Sequence, residues 1–507
     1  PEGPKITYEQ WLKAHGMDSA WWFLNAIINF HWDFSAEVGP PSYGLMPGFF
    51  GDYERSRADW TPEQRAHVRA ILLFLTYTAE DDNNLPHHSM MAGQPNFVMQ
   101  VKQTMAIACG VFPNHPHAKG WRDSFMKFYT EWLDVYGRKA DTEHNALGGR
   151  WTENIACYSG TSLQALLRCA KGLEIHDGTD VLSHPMLRDW VAWYLQSFMS
   201  PHNGARRVPP EGAHAGALAV GGAYWKDLFE IARRLKATAP ELSARMQWIE
   251  TDGNAGRKPD LKSVLIRDYG PVLRHDFGGP QEAYAHLMQL GGRYNYRWSM
   301  GHGTVYYGAR NRNWSYNGGE ANGDSFNASA VSMFSVKGQG LGWHATDQPL
   351  YDFSFAQFYR AVADPNSAKK TGYLSRGIML LRDEGLLLFD DVRESTAGQF
   401  TWTNSGDLPH IVQLLPGVAP AKDSTKNTLH YRGKGDFLTL VSPVARKARR
   451  TSFGAVIGNS EYVFIGDKPF EHTDKKLAFA GMVGYARPGE LALFEGTAMR
   501  LGKFRIA

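Results

Sequence analysis

Apolar residues in the first half of the chain recur with the period of helices. Val68, Ile71, Leu72 and Leu75 follow Thr61-Pro62-Glu63-Gln64, in which threonine caps, proline takes the first helical position and Gln64 returns a bond to the cap. Trp121, Phe125, Phe128, Trp132 and Val135 form a second stripe, and Val98, Val101, Met105 and Cys109 a third. A further helix is predicted to open at Thr152, with Ile155, Leu163, Leu166, Leu167 and Ala170 on one face. Others are expected near residues 18–30, 184–199 and 216–250. The connections at 79–96, 137–151 and 200–214 are long and polar. Beyond a linker at 251–262, which holds Thr251-Asp252-Gly253-Asn254, the period changes. Strands are predicted within 263–277, 282–290, 304–309 and 377–393, and again at 437–441, 462–465 and 491–494. Arg382-Asp383-Glu384-Gly385 joins the apolar runs 378–381 and 386–389 as a hairpin turn would. The pattern is that of an α+β multidomain chain, helical over 1–250 and an antiparallel β-sandwich over 263–507.

Composition narrows the partners. A net charge of +3 over 507 residues, without a Lys/Arg run, gives no reason to expect nucleic acid. The aromatic fraction of 13%, with 16 Trp and 22 Tyr, suits large cores or platforms for sugar rings. Cys109, Cys157 and Cys169 lack C-x-x-C spacing, so neither a disulfide framework nor a zinc site is expected. No apolar run is long enough to span a membrane. The opening Pro-Glu-Gly carries no signal-like stretch. That is what a secreted or periplasmic protein looks like once its leader is removed, and a cytoplasmic protein would look the same.

Phosphate-binding glycine loops, H-E-x-x-H and G-x-S-x-G are all missing. What stands out is polar chemistry in helical settings. Gly149–Gly160 packs Arg150, Glu153, Asn154 and Tyr158 into one short stretch, where a neighbouring guanidinium would draw a phenol down from its ordinary pKa. Asn96 immediately precedes a helical run, as a helix cap or as a carboxamide bonding an anion at a helix start. The loop 200–214 offers His202, His214 and the carboxylate-matching pair Arg206 and Arg207. In the sheet half Tyr296, Arg297 and His302 crowd one segment, and the glycines flanking His302 allow close approach.

These motifs resemble those of the heparinase II/III-like polysaccharide lyases. The likeness rests on Asn96 in Gln-Pro-Asn-Phe, on Glu153 and Tyr158 in Thr-Glu-Asn-Ile-Ala-Cys-Tyr, on His302 in Gly-His-Gly-Thr-Val-Tyr-Tyr, and on the sandwich-like run 377–392. It implies an incomplete (α/α) toroid before the sandwich and β-elimination at a uronic acid in an anionic polysaccharide. Asn96, helped by Arg207 or His214, would neutralise the uronate carboxylate. Tyr158 and His302 would share the roles of base and acid, in an order left open. Arg150, Glu153, Asn154, His202, Arg207, His214, Tyr296 and Arg297 would line the substrate. No redox cofactor is needed. The family's sandwich often holds a structural zinc through His-x-His and an Asp; Thr304 stands in place of the second histidine, so no metal is expected, with His344 and Asp324 as remnants. Two other readings are a toroid glycoside hydrolase using carboxylates among Asp81, Asp82 and Glu153, and a carbohydrate-binding protein without catalysis.

Overall fold

The computed structural model describes residues 3–14, 42–81, 95–136, 158–209, 224–266, 269–289, 302–315, 331–342, 348–382, 384–404 and 406–506. Within these, the helical half comprises α1 (Tyr8–Ala14), α2 (Ser42–Ser56), α3 (Pro62–Glu80), α4 (Pro95–Val111), α5 (Ala118–Tyr136), α6 (Tyr158–Asp177), α7 (Pro185–Ser197), α8 (Tyr224–Arg234) and α9 (Pro240–Glu250). The three stripes are α3, α4 and α5, and their apolar members are buried, apart from Val135, whose side chain lies outside the described residues. The capping box at α3 has both arms: Gln64 N–H donates to Thr61 Oγ1 at 3.2 Å, and Thr61 N–H donates to Gln64 Oε1 at 2.9 Å. Thr61→Ala is therefore expected to cost about 1 kcal/mol, read as a lower urea midpoint with an unchanged m-value.

Four helical expectations need correction or fall outside. The continuous helix expected over 216–250 is two helices. A 3-10 turn at Leu235–Ala237 and Pro240 at the head of α9 break it, because proline suits a helix start and not its interior. Asn96 lies inside the first turn of α4 instead of capping it. The helix near 18–30 and the cap at Thr152 lie outside the described residues, and α6 is described from Tyr158.

The sheet half begins with β1 (Val264–Ile266), β2 (Gly270–His275), β3 (Ala283–Leu287), β4 (Val305–Ala309) and β5 (Arg312–Asn313), five antiparallel strands in sequential order. The strand-forming segment expected over 263–277 is a hairpin of β1 and β2, and Gly270, which opens β2 opposite Ile266, has φ +111°, a value glycine tolerates. Then come β6 (Met333–Ser335), β7 (Tyr351–Phe353), β8 (Ala356–Val362), a short α10 (Pro365–Thr371), β9 (Tyr373–Leu381), β10 (Leu386–Val392), β11 (Ala397–Thr403), β12 (His410–Leu415), β13 (Thr428–Lys434) and β14 (Phe437–Ser442). The chain finishes as β15 (Ala448–Thr451), β16 (Gly454–Ile457), β17 (Glu461–Thr473), β18 (Leu477–Arg487), β19 (Glu490–Leu501) and β20 (Phe504–Ile506), a six-stranded meander.

Period-two alternation stacks these sheets in layers. In β3 and β4, Tyr284 and Tyr306 turn toward the helical core, while Ala283, Ala285, Leu287, Val305 and Tyr307 turn the other way. The second core joins them to one face of the central sheet β12-β14-β10-β9-β8-β7, and its other face packs on the final meander. Burial on both faces explains why 378–381 and 386–389 read as unbroken apolar runs. The expected hairpin between them is present: Leu381 N–H donates to Gly385 O at 2.8 Å.

Candidate active site at the helix–sheet seam

α4 and α6 run side by side in the same direction. Gln100 Nε2 donates to Thr161 O at 3.0 Å near one end. Toward the other, Gly110 and Gly172 meet so closely that a Cβ built on Gly110 would lie 2.8 Å from Gly172 Cα. An offset of about sixty residues holds along the pair, and extending it one turn back sets Asn96 level with the start of α6 at Tyr158. Parallel neighbours follow from the hairpin order, since α5 returns between them. Asn96 is buried, at 1% exposure. The backbone of Tyr158 opens α6, and its side chain lies outside the described residues.

The same end of α6 touches the seam with the sheet. Ser159 Oγ shares a hydrogen bond with Tyr194 OH of α7. The next ring along, Trp193, packs edge-on against Tyr269 at 5.0 Å, and Tyr269 stacks on His286 of β3 at 4.2 Å. His286 is fixed by a 2.9 Å bond between Nδ1 and Pro271 O, and Tyr306 of β4 lies parallel beyond it. Two residues along this ladder Met288 N–H donates to Thr304 O at 2.8 Å, and Gly303 N–H to Met288 O at 3.0 Å. His302, fully buried, sits in that turn.

The turn is held from below. Gly303 has φ +90°, and Leu341 N–H donates to His302 O at 2.9 Å. Arg376 of β9 donates from Nη1 to Gly303 O at 2.6 Å. Its Nε lies 3.2 Å from Asp390 Oδ1, with both side chains at 0% exposure, and Tyr373 OH donates to the same oxygen. Burial pushes the Asp390 carboxyl up to about 6, against the opposing pull of Arg376 and of the Tyr373 hydroxyl. Sequence reading missed this brace, although the expected hairpin carried the signal: extending its pairing outward sets Arg376 directly across from Asp390.

The loop 200–209 fastens the halves together. His202 N–H pairs with Ala205 O, and its Nδ1 accepts the N–H of Asn313 in β5 at 3.0 Å. Burial, with Arg207 and Arg312 nearby, lowers its pKa, so the ring is held neutral against the sheet. Arg206 is the sunken cation of the pair. It makes two 2.6 Å bonds to buried Glu282 and lies over Phe277 at 4.6 Å. Arg274 of β2 caps the end of α7, donating to Gln196 O and Phe198 O, each at 2.6 Å. Arg207 is half-buried beside this junction. Arg150, Glu153, Asn154, His214, Tyr296 and Arg297 lie outside the described residues, as do Asp82, Asp324 and His344. Asp81 is exposed at the end of α3.

Among the described residues no group of three or more His, Cys, Asp or Glu is placed to hold a metal. No described helix is long and apolar enough to cross a membrane. Cys109 and Cys169 are free and buried, and burial raises both thiols.

No protein-family profile matches the sequence, and no curated protein matches it. Solved structures do match in fold. Heparinase III aligns with a TM-score of 0.60 at 12% identity, over 96% of this chain and 81% of its own. Another heparinase III structure gives 0.58 at 11% identity, over 96% and 77%. The heparan sulfate lyase HepC of Pedobacter heparinus gives 0.55 at 11% identity, over 97% and 83%. The fold is that of these structures, an α/α helical half followed by stacked antiparallel sheets.

Proposed function

We propose that this chain is a polysaccharide lyase that cleaves a uronate-containing polysaccharide by β-elimination. The supporting observation is the parallel pairing of α4 and α6, which sets Asn96 beside the start of α6 at the seam from which the His302 turn rises. Helix N-terminal ends favour negative charge. A uronate carboxylate placed there accepts a hydrogen bond from the Asn96 carboxamide, and the same donors hold the enolate charge that develops when the C5 proton leaves. Tyr158 and His302 divide proton removal from C5 and proton delivery to the departing O4 between them. If both groups leave from one face of the sugar, the phenol serves twice; if they leave from opposite faces, the imidazole is the natural base. Arg376 and Asp390 hold the turn that presents His302.

Elimination leaves a C4–C5 double bond conjugated to the carboxylate. The test is a panel of heparan sulfate, chondroitin, hyaluronan, alginate and glucuronan, with heparan sulfate first because one of the fold neighbours is a heparan sulfate lyase. The expected result is new reducing ends rising together with near-ultraviolet absorbance on at least one polymer. Reducing ends without absorbance would mean hydrolysis and overturn the elimination chemistry.

A further inference from the structure

The small sheet β13-β11-β6 has one face in the core and one open, and the open face is basic. Phe334, Phe400, Trp402 and Tyr431 alternate inward. The outward positions form rows across the three strands: Met333, Thr401 and His430, then Ser335, Gln399 and Arg432, with Ala397 opposite Lys434 in the next. Lys337 follows Ser335 by two residues, in the turn just past β6. At the Met333 end this face is buried, because Val331 and Met333 belong to the core shared with the helical half. Away from it the face opens into a groove of about 540 Å³ lined by Ser335, Lys337, Gln399, Arg432 and Lys434. The groove therefore continues the surface that closes the seam, on the strand that follows Ser332, whose O accepts Val305 N–H beside the His302 turn.

Its charges differ in kind. Arg432 is held in plane by Asp423, which takes both terminal nitrogens, and by Gln399 Oε1, which accepts from Nε at 2.7 Å. Asp423 offsets that charge. Lys337 and Lys434 are exposed and have no carboxylate partner among the described residues. Rows stand about 6.8 Å apart along a strand and strands about 4.8 Å apart, so the lysines and Gln399 span a patch the size of a sugar unit. Two exposed ammonium groups without a carboxylate partner among the described residues, on either side of the Gln399-braced Arg432 guanidinium, match a chain that carries anionic groups at intervals.

We propose that this face is a distal subsite for an anionic polysaccharide, holding the chain where it leaves the seam. The subsite rests on the reading of the seam as the cleavage site. The test compares binding of a fluorescent heparin dodecasaccharide and a heparin tetrasaccharide to the full chain and to Lys337→Glu/Lys434→Glu. Coincident urea unfolding of the two proteins serves as the control for folding. The wild type is expected to prefer the longer probe, more so at low salt. The variant is expected to lose about three- to thirtyfold of that affinity, with the tetrasaccharide unaffected. Unchanged dodecasaccharide binding, or equal loss for both probes, overturns the subsite. Selective loss with no uronan cleaved keeps the subsite and rejects the lyase reading. A cleaved polymer whose KM the variant leaves unchanged rejects the subsite and keeps the lyase.

Discussion

Tyr158→Phe is expected to lower kcat by about 10²- to 10⁴-fold, the range that one positioned proton-transfer group supplies. KM on the same polymer should change little, because the substitution removes one hydroxyl and leaves the ring. The helix itself has other supports. Gln100 bonds Thr161 O, Ser159 bonds Tyr194, and the Gly110–Gly172 contact fixes the far end. A fold defect is therefore not expected, and matching urea transitions would establish that. Asn96→Ala makes the informative comparison: loss of a donor to developing charge costs about 10²- to 10³-fold and should also weaken binding of the uronate. Initial rates followed by ultraviolet absorbance, with separate kcat and KM, distinguish the two patterns. A Tyr158→Phe enzyme that keeps a tenth or more of its turnover removes the phenol from the mechanism. If it is inactive while His302→Ala retains activity, one phenol acts twice.

What the sequence made legible was local. The capping box at Thr61, the stripes of α3 to α5 and the turn at 382–385 each depend on residues a few positions apart, so periodicity and turn chemistry find them. α2 was missed because Gly44, Pro47, Gly48 and Gly51 argue against a helix. It forms because Phe49 packs on Trp11, Phe50 on Phe112 and Tyr53 on Trp60. The pairing of Asn96 with the start of α6 required knowing that two helices about sixty residues apart run parallel, which no local pattern states. The loop 200–214 reads as a carboxylate-binding segment, and its Arg206 does bind a carboxylate, that of Glu282 in the sheet half. Residue type gave the chemistry there, and only the tertiary fold gave the partner.

Arg376→Met is expected to destabilise the chain by about 3–5 kcal/mol, because it leaves the Asp390 carboxylate buried without its cation. The loss should depend on pH. Burial already raises Asp390 to about 6 in the folded chain, so the folded state holds this proton more tightly than the unfolded one. That contribution is complete below the ordinary carboxylate pKa and fades as pH rises through about 6. Removing Arg376 takes away the charge that lowers this pKa, so the variant keeps Asp390 protonated to higher pH. Its deficit against wild type should then be smallest near pH 5 and grow toward about pH 8. Adding Asp390→Asn should restore much of the stability, since the amide oxygen still accepts from Tyr373 and no unpaired charge remains. Urea unfolding of both variants across that pH range is the measurement, and a pH-independent deficit would show that Arg376 acts by packing alone. Activity should not follow stability in the double variant. Gly303 O has lost its donor, so the His302 turn remains slack and turnover stays low in a chain that folds.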